Sequence, residues 1–253
     1  MSHNNRCLNI GSCEFKKEGW ITLDKSHAHY ASRQSPIDIE HDLMTFNPIP
    51  IRDEHLKAAY TSHTIEHISD KYVYHLFSEV YRILEHGGTF RITCPDIGKC
   101  HAAYERGDKK YLEGWLLNPV GWEKFNKCGI GENFLFIFAG YLSPYRTHIT
   151  DAGKYGEEAI KEIFATKSRE EALSFFTDQC QSFADALQPR YPGEHISWWD
   201  FDKLKGALER AGFKDIIQSE FNSSQCTSLE NFDEKNADNK KCLNYTLFLE
   251  CTK

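Results

Sequence analysis

Short apolar runs that end at a polar residue or a glycine recur through the first hundred residues. Such runs are typical of buried β-strands. The predicted strands are residues 7–10, 20–23, 37–43, 58–62 and 89–94. Between the last two, residues 72–84 carry apolar side chains at helical spacing, and Gly87 with Gly88 is expected to end that helix.

The pattern changes between about His101 and His195. Aromatic residues such as Trp115 and Tyr141 become frequent, and residues 157–164 and 169–187 have the spacing of amphipathic helices. We interpret residues 101–195 as a largely helical insertion, a lid that covers the binding site and recognises the substrate.

The alternation then resumes in the last part of the chain. A helix is predicted over residues 200–211, and strands are predicted over residues 213–217 and 244–251. A polar connection over residues 223–241 separates the two strands. Strands that alternate with helices predict an α/β domain, with a parallel sheet and helices on both faces. Residues 1–100 and 196–253 are predicted to form it.

Charge and composition narrow the function classes. The formal net charge of −7 argues against binding to nucleic-acid phosphates, which requires a surplus of Lys and Arg. No run approaches the ~20 apolar residues that span a bilayer, and residues 1–6 lack the apolar segment of a signal peptide. The nine cysteines include no CxxC pair and are expected to be reduced thiols. We therefore expect a cytoplasmic protein with a small-molecule substrate; the sequence defines no oligomeric state.

Three stretches carry a resemblance to a known superfamily. They are LNIGSC at 8–13 with GWITLD at 19–24, SHTIEH at 62–67 with EVYRILEHGG at 79–88, and RITCPD at 91–96. In this order they resemble the class I S-adenosylmethionine-dependent methyltransferases, most of all small bacterial and viral members found with glycan-biosynthesis genes. WDF at 199–201 and AGF at 211–213 add weaker support.

The resemblance implies a fold and an activity. The fold is a Rossmann-like sheet of about seven strands with the last strand antiparallel. The activity is transfer of a methyl group from S-adenosylmethionine to a small molecule, with a carbohydrate hydroxyl as the first expectation.

The resemblance also implies cofactor residues, because such sheets bind ligands at the carboxyl ends of their strands. These residues are Gly11, Ser12, Cys13, Asp24, Asp42, Leu43 and Ser62. Asp24 is expected to accept hydrogen bonds from the ribose hydroxyls. Cys13 stands where the family has a second glycine, which predicts either a reshaped cofactor pocket or lost binding.

The adenine contact has more than one candidate. Asp42 is expected to meet the adenine amino group and Leu43 the ring, while Asp38 and Glu40 are alternatives nearby. The implied position of Ser62 is beside the methionine portion of the cofactor.

The candidate catalytic residues are His63, Asp96 and His67. A His at the end of the fourth strand can remove the proton of an attacking hydroxyl or amine. The alternatives are that His63 shapes the pocket and that His67 caps or packs the next helix. Asp96 is expected either to bind substrate or to cap a helix. The candidate substrate-binding residues are His101, Tyr104, His195 and Trp199.

Two other functions remain open at this point. Residues 63–67 match the H-x-x-E-H pattern of zinc hydrolases, with His63, Glu66 and His67 as the site. That pattern requires a helix, whereas the preceding residues predict a strand, so no metal ligand is predicted. The second alternative is a degenerate methyltransferase that binds the cofactor without transferring methyl groups, for which Cys13 is the main support.

Overall fold

The computed structural model describes residues 6–114, 128–140, 155–233 and 242–253. The chain divides into two compact units. The sheet unit comprises Met1–Pro95 and Asp200–Lys253, and the helical unit comprises Asp96–Trp199. The division predicted from sequence lies at 100/101 and 195/196. Trp115, Tyr141 and the end of the predicted polar connection lie outside the described residues.

The sheet unit contains seven strands in its described residues. They are β1 Cys7–Ile10, β2 Trp20–Asp24, β3 Ile39–Glu40, β4 Leu56–Ser62, β5 Leu84–Pro95, β6 Lys214–Gln218 and β7 Thr246–Thr252. Their spatial order is β3-β2-β1-β4-β5-β7-β6. The first five pair in parallel, and β7 pairs antiparallel with both β5 and β6. The predicted α/β sheet with an antiparallel last strand is confirmed.

Two expected element boundaries are wrong. The predicted third strand, 37–43, is reduced to Ile39–Glu40. The helix before β5, α1, spans Asp70–Ile83 and ends because Leu84 is extended, with φ −72° and ψ 141°. Gly87 and Gly88 do not terminate this helix, since both lie inside β5. There the register of β5 against β4 shifts between Leu56 and Ala58.

One face of the sheet packs against helices. Val73, Leu76, Phe77 and Val80 of α1 are buried, and the Phe77 ring meets Phe90 of β5 at 5.9 Å. The late helix, α7 Phe201–Ala211, follows the helical unit in the chain and packs against α1. The spacing of apolar residues along α1 and α7 therefore predicted their buried sides correctly.

The opposite face is covered by connections in the described residues rather than by helices. Trp20 of β2 and Tyr60 of β4 share this face with Phe232, which belongs to the connection between β6 and β7. The Trp20 and Phe232 rings stack at 4.0 Å. Residues 11–19, which join β1 to β2, also contain no helix. The connection 219–233 thus supplies packing for this side of the sheet.

A buried ionic network holds that connection in place. Arg91 of β5 is fully buried and donates to both carboxylate oxygens of Asp233, at 2.9 and 2.5 Å, and to Glu250 Oε1 at 2.8 Å. It also donates to the backbone oxygens of Glu220 and Ser223. Since a buried charge must be paired, one arginine fixes both ends of the connection.

The helical unit contains five α-helices in its described residues. They are α2 Ile97–Glu105, α3 Lys109–Gly114, α4 Ile130–Phe138, α5 Glu157–Thr166 and α6 Arg169–Leu187. Phe134, Phe138 and Phe176 are fully buried at its centre. Its helical character agrees with the sequence analysis; its role as a lid remains a prediction. No helix in the described ranges is long and apolar enough to cross a membrane.

Asn133 lies in α4 with a fully buried side chain whose Nδ2 and Oδ1 have no hydrogen-bond partner within the described ranges. Burial of an amide without partners costs ~1–3 kcal/mol in proteins. Asn133→Leu, which keeps the number and branching of the side-chain heavy atoms, is therefore expected to raise the free energy of unfolding by up to about that amount. Urea denaturation measures the change. The exposed Asn47→Leu is the control and should give no gain, whereas a less stable Asn133→Leu would contradict the prediction.

Candidate functional site

The carboxyl ends of the central strands bring several predicted residues to one edge of the sheet. Ile10 of β1 is in register with Leu23 of β2 and with Thr61 of β4. The residues that follow these three positions are Gly11, Asp24 and Ser62, so they lie side by side along the edge. The backbone N–H of Gly11 donates to Leu23 O at 2.8 Å, which ties the first turn to β2.

Gly11 occupies a position that no other residue fits. Its φ is +65°, in the left-handed region that glycine adopts without strain. A Cβ at this position would also collide with the side chain of Thr64. The resemblance implies a glycine here as part of the cofactor site, and packing against Thr64 is a further reason for it that the local sequence does not indicate.

Cys13, which stands where the resemblance implies a second glycine, has a left-handed backbone. Its φ is +43°, which strains an L-residue by ~1–2 kcal/mol. Its N–H donates to Asp24 Oδ2 at 2.8 Å. The replacement therefore preserves the turn. Burial, together with the charge of Asp24, raises the pKa of the Cys13 thiol, so this group stays protonated.

Asp24 ends β2 and faces this turn. Its Oδ1 accepts from the backbone N–H of Lys25 at 2.7 Å, and its Oδ2 accepts from Cys13. Burial raises the pKa of its carboxyl group. A carboxylate has about four acceptor sites, and the Gln34 side chain also donates to this one, so Asp24 retains the capacity to accept a further hydroxyl group.

Two buried hydroxyls accompany the turn. Ser12 is 4% exposed, and its Oγ has no hydrogen-bond partner in the part of the chain that the structure describes. Ser62 Oγ, at the end of β4, accepts from Thr93 Oγ1 at 2.7 Å. An unsatisfied buried hydroxyl is uncommon in native proteins and fits a bound polar group. The donor and acceptor set at this edge therefore suits a ribose-bearing ligand.

The three acidic candidates for the adenine contact all form hydrogen bonds or ion pairs with residues nearby in the sequence. Asp38 accepts from the N–H and the hydroxyl of Thr22, and Glu40 accepts from Ser26. Asp42 forms an ion pair with Lys25 at 2.6 Å. Burial raises the pKa of Asp42, but the hydrogen bonds from Lys25 and Met44 outweigh it and leave the pKa below its ordinary value. Leu43, the predicted ring contact, is partly exposed beside it.

His63 follows β4 in a strained conformation, with φ +48°. Its backbone N–H donates to Thr93 O at 2.9 Å. Its Nδ1 lies 3.2 Å from Oε1 of the buried Glu66, and its Nε2 lies 3.4 Å from Thr246 Oγ1. When Nδ1–H donates to the carboxylate of Glu66, Nε2 is the nitrogen that can take a proton.

The zinc-hydrolase alternative is not compatible with this backbone. Its pattern requires a continuous helix through residues 63–67. Here β4 runs to Ser62, His63 is left-handed, and Ile65–His67 is a single turn of 3-10 helix. The N–H of His67 donates to Thr64 O at 3.1 Å, so His67 closes this turn.

Glu66, Thr246 and Tyr30 lie in this neighbourhood, and the sequence did not indicate that they would. Thr246 is 183 positions from His63 in the sequence, and no local pattern links them. Glu66 lies within the zinc-like motif, where it was considered only as part of a zinc site. Burial raises the pKa of Tyr30 to about 12, and Cys13 and Asp24 beside it add to the shift.

The remaining candidates lie in the helical unit. Asp96 caps α2, because its carboxylate accepts from the N–H of Lys99 at 3.1 Å. His195 Nδ1 donates to Ile137 O at 2.6 Å. His101 and Tyr104 line one surface cavity together. Trp199 is 1% exposed, so contact with a substrate would require its neighbours to move.

A family comparison finds a match over part of the sheet unit. Residues 20–92 match the model of a family described as a methyltransferase domain. The match covers β2 to β5 and most of the strand-end residues described above. Together with the sheet order and the antiparallel β7, it confirms the resemblance found in the sequence. The matched segment therefore agrees with the predicted class, the class I S-adenosylmethionine-dependent methyltransferases, for which S-adenosylmethionine is the cofactor.

Several solved structures have a similar chain path at low sequence identity. A methyltransferase from Archaeoglobus fulgidus is 13% identical, with 98% of this chain and 85% of that chain covered and a TM-score of 0.42. One from Mesorhizobium loti is 14% identical, with 98% and 90% covered and a TM-score of 0.40. A phosphoethanolamine N-methyltransferase of Haemonchus contortus, solved with S-adenosylmethionine, is 14% identical, with 100% and 49% covered and a TM-score of 0.41. No curated protein matches the sequence significantly.

Proposed function

We propose that this enzyme transfers the methyl group to a hydroxyl of a small molecule, with a carbohydrate as the acceptor class, and that His63 receives the proton. The carrying observation is the pairing of His63 Nδ1 with Glu66 at 3.2 Å at the end of β4. The bound cofactor supplies a methyl group on a positively charged sulfur. The protein then has to align the acceptor oxygen and remove its proton.

The proposed cofactor contacts follow the edge of the sheet. The turn from Gly11 to Cys13 approaches the cofactor, Asp24 accepts the ribose hydroxyls, and Ser62 lies beside the methionine portion. Asp42 and Leu43 are proposed for the adenine. The unsatisfied Ser12 Oγ and the spare lone pairs of Asp24 support this assignment.

The proposed chemistry assigns one task to each residue of the pair. As the acceptor oxygen forms its bond to the methyl carbon, the bond from that carbon to sulfur breaks and the hydroxyl proton passes to Nε2 of His63. Glu66 keeps Nδ1–H in place and carries the negative charge that balances the protonated ring. Glu66 is therefore a positioning residue in this scheme.

The activity is tested with S-adenosylmethionine that carries a labelled methyl group and a panel of sugars, sugar phosphates and nucleotide sugars. Transfer to oxygen, located by NMR of the product, supports the proposal. Transfer to amines alone contradicts it. Tight cofactor binding without transfer to any acceptor class would favour the binding-only alternative, for which the strain at Cys13 is the specific observation.

Asp24→Ala is expected to weaken cofactor binding by ~1–3 kcal/mol, because ribose hydroxyls would lose a charged partner. Isothermal calorimetry measures the affinity. Burial raises the pKa of Asp24, so the carboxylate gains its proton at a higher pH than an exposed aspartate does. Cofactor affinity should therefore fall early on acidification in the natural protein and less so in Asp24→Ala.

The control for this prediction is Glu18→Ala, which removes an exposed carboxylate from the same β1–β2 connection. It should leave the affinity unchanged. Equal cofactor affinities for the natural protein and Asp24→Ala would remove Asp24 from the cofactor site.

A further inference from the structure

A surface cavity of about 450 Å³ lies within the helical unit. Helix α2 contributes His101, Tyr104 and Glu105, and helix α5 contributes Lys161 and Phe164. These spacings of three and four residues put each set on one side of its helix. Lys167 and Arg169, at the junction of α5 and α6, complete the lining. The volume falls in the range of small-molecule sites.

One part of the lining is a continuous aromatic wall. The Tyr104 ring lies 5.1 Å from Phe164 and stacks on the buried Phe134 at 5.3 Å. The His101 ring lies 5.5 Å from Phe164. Because these rings already pack on one another, a flat ligand ring gains contact area here with little ordering of side chains.

The lining of the cavity carries three cations and one carboxylate although the whole chain is acidic, with a net charge of −7. Lys161, Lys167 and Arg169 face one carboxylate of the lining, Glu105. Two of these cations have acidic neighbours on their own helix: Lys161 pairs with Glu157 and Glu158, and Arg169 with Glu170. Lys167 is exposed, and its Nζ lies 5.8 Å from the Phe175 ring.

His101 does not add to the positive charge at neutral pH. Burial lowers the pKa of its imidazole below the ordinary value, and the nearby Glu105 opposes that shift only in part. Its Nδ1 lies 3.5 Å from Glu105 Oε2. The cavity therefore combines a neutral aromatic wall with fixed cations in its lining.

We propose that this cavity binds a small molecule in which a planar ring carries a phosphate group. The ring packs against Tyr104 and Phe164, and the phosphate meets Lys167 and Arg169, whose charges it offsets. The proposal concerns binding alone and does not depend on which acceptor is methylated.

The test uses the full chain and three probes that separate ring from charge: phenyl phosphate, benzyl alcohol and inorganic phosphate. Calorimetry or ligand-observed NMR gives each affinity. Phenyl phosphate is expected to bind at least about tenfold more tightly than either other probe. Equal affinities for phenyl phosphate and benzyl alcohol, or no binding of phenyl phosphate, would overturn the proposal.

Variants locate the probe on the protein. Lys167→Met with Arg169→Met is expected to weaken phenyl phosphate binding about tenfold or more, the loss of charge-assisted hydrogen bonds. Lys167→Met alone changes an exposed side chain and keeps the test valid if the double variant misfolds. Lys109→Met is the matched control, since Lys109 lies on α3 and pairs with Glu113. Unchanged binding of phenyl phosphate by both the double variant and Lys167→Met would overturn the assigned location.

Discussion

His63→Ala is expected to lower turnover by ~10²–10⁴-fold, the range for a well-placed general base. The affinity for the cofactor should stay within a few-fold, because His63 is not among the proposed cofactor contacts. Glu66→Gln should reduce turnover less and change its pH dependence, since a neutral amide still bonds to Nδ1 but no longer balances the charge of a protonated ring. Initial rates across the pH range, with calorimetry for the cofactor, measure both effects.

His67→Ala is the control for this experiment. His67 closes the 3-10 turn through its backbone N–H, which Ala retains, so any effect of losing the ring should fall on stability more than on turnover. The assignment of the base fails if His63→Ala keeps near-normal turnover at every pH. It fails equally if Asp96→Asn alone abolishes turnover, in which case Asp96 is the base and His63 a wall of the pocket.

Arg91→Met is expected to lower the free energy of unfolding by ~3–5 kcal/mol, the cost of breaking a buried ion pair on one side. Asp233 and Glu250 are 0% and 3% exposed, and the substitution leaves both carboxylates buried without their cation. The connection 219–233 should loosen first, because Arg91 donates to it at several points. Urea denaturation gives the change in stability, and hydrogen exchange shows where protection is lost.

Two comparisons isolate the buried charge as the cause. Arg6→Met removes an arginine whose side chain is 36% exposed and pairs with Glu85, so it should cost only ~0–1 kcal/mol. The triple variant Arg91→Met, Asp233→Leu, Glu250→Met should be more stable than Arg91→Met alone, since no orphaned charge remains. A triple variant less stable than Arg91→Met would contradict this explanation.

The local pattern of apolar residues was sufficient to predict most strands of the sheet. β1, β2, β4 and β5 are buried on both faces, and a strand of that kind appears in the sequence as an apolar run. In the described sheet, the edge strand β3 consists of two residues, which pair with Leu23 and Asp24. Two residues are too few to form an apolar run that a sequence pattern could show. The boundary between α1 and β5 was missed because the chain passes directly from helix to strand, without the turn residues that usually mark such a change.

Some residues of the candidate site could likewise be predicted from the sequence, and others could not. Gly11, Asp24, Ser62 and His63 could be singled out because each ends or directly follows a strand, and the register of the sheet then brings the first three together. Contacts of long sequence separation could not be predicted. Arg91 and Asp233 are 142 positions apart, and nothing in a basic residue within a strand indicates that its charge will be buried. The left-handed backbone of Cys13 could not be predicted either, because cysteine is not a residue type that favours this conformation.

The order of strands in the sheet has a consequence for folding during synthesis. The chain is made in the order β5, β6, β7, but in space β7 lies between the other two. β6 therefore has no neighbour in the described sheet until β7 has been made, and until then the open edge of β5 offers unpaired backbone groups to any other strand. An exposed edge of this kind is a template for aggregation. The nascent chain is thus most vulnerable while the ribosome translates the residues between Pro95 and Thr246, when chaperone binding would protect it most.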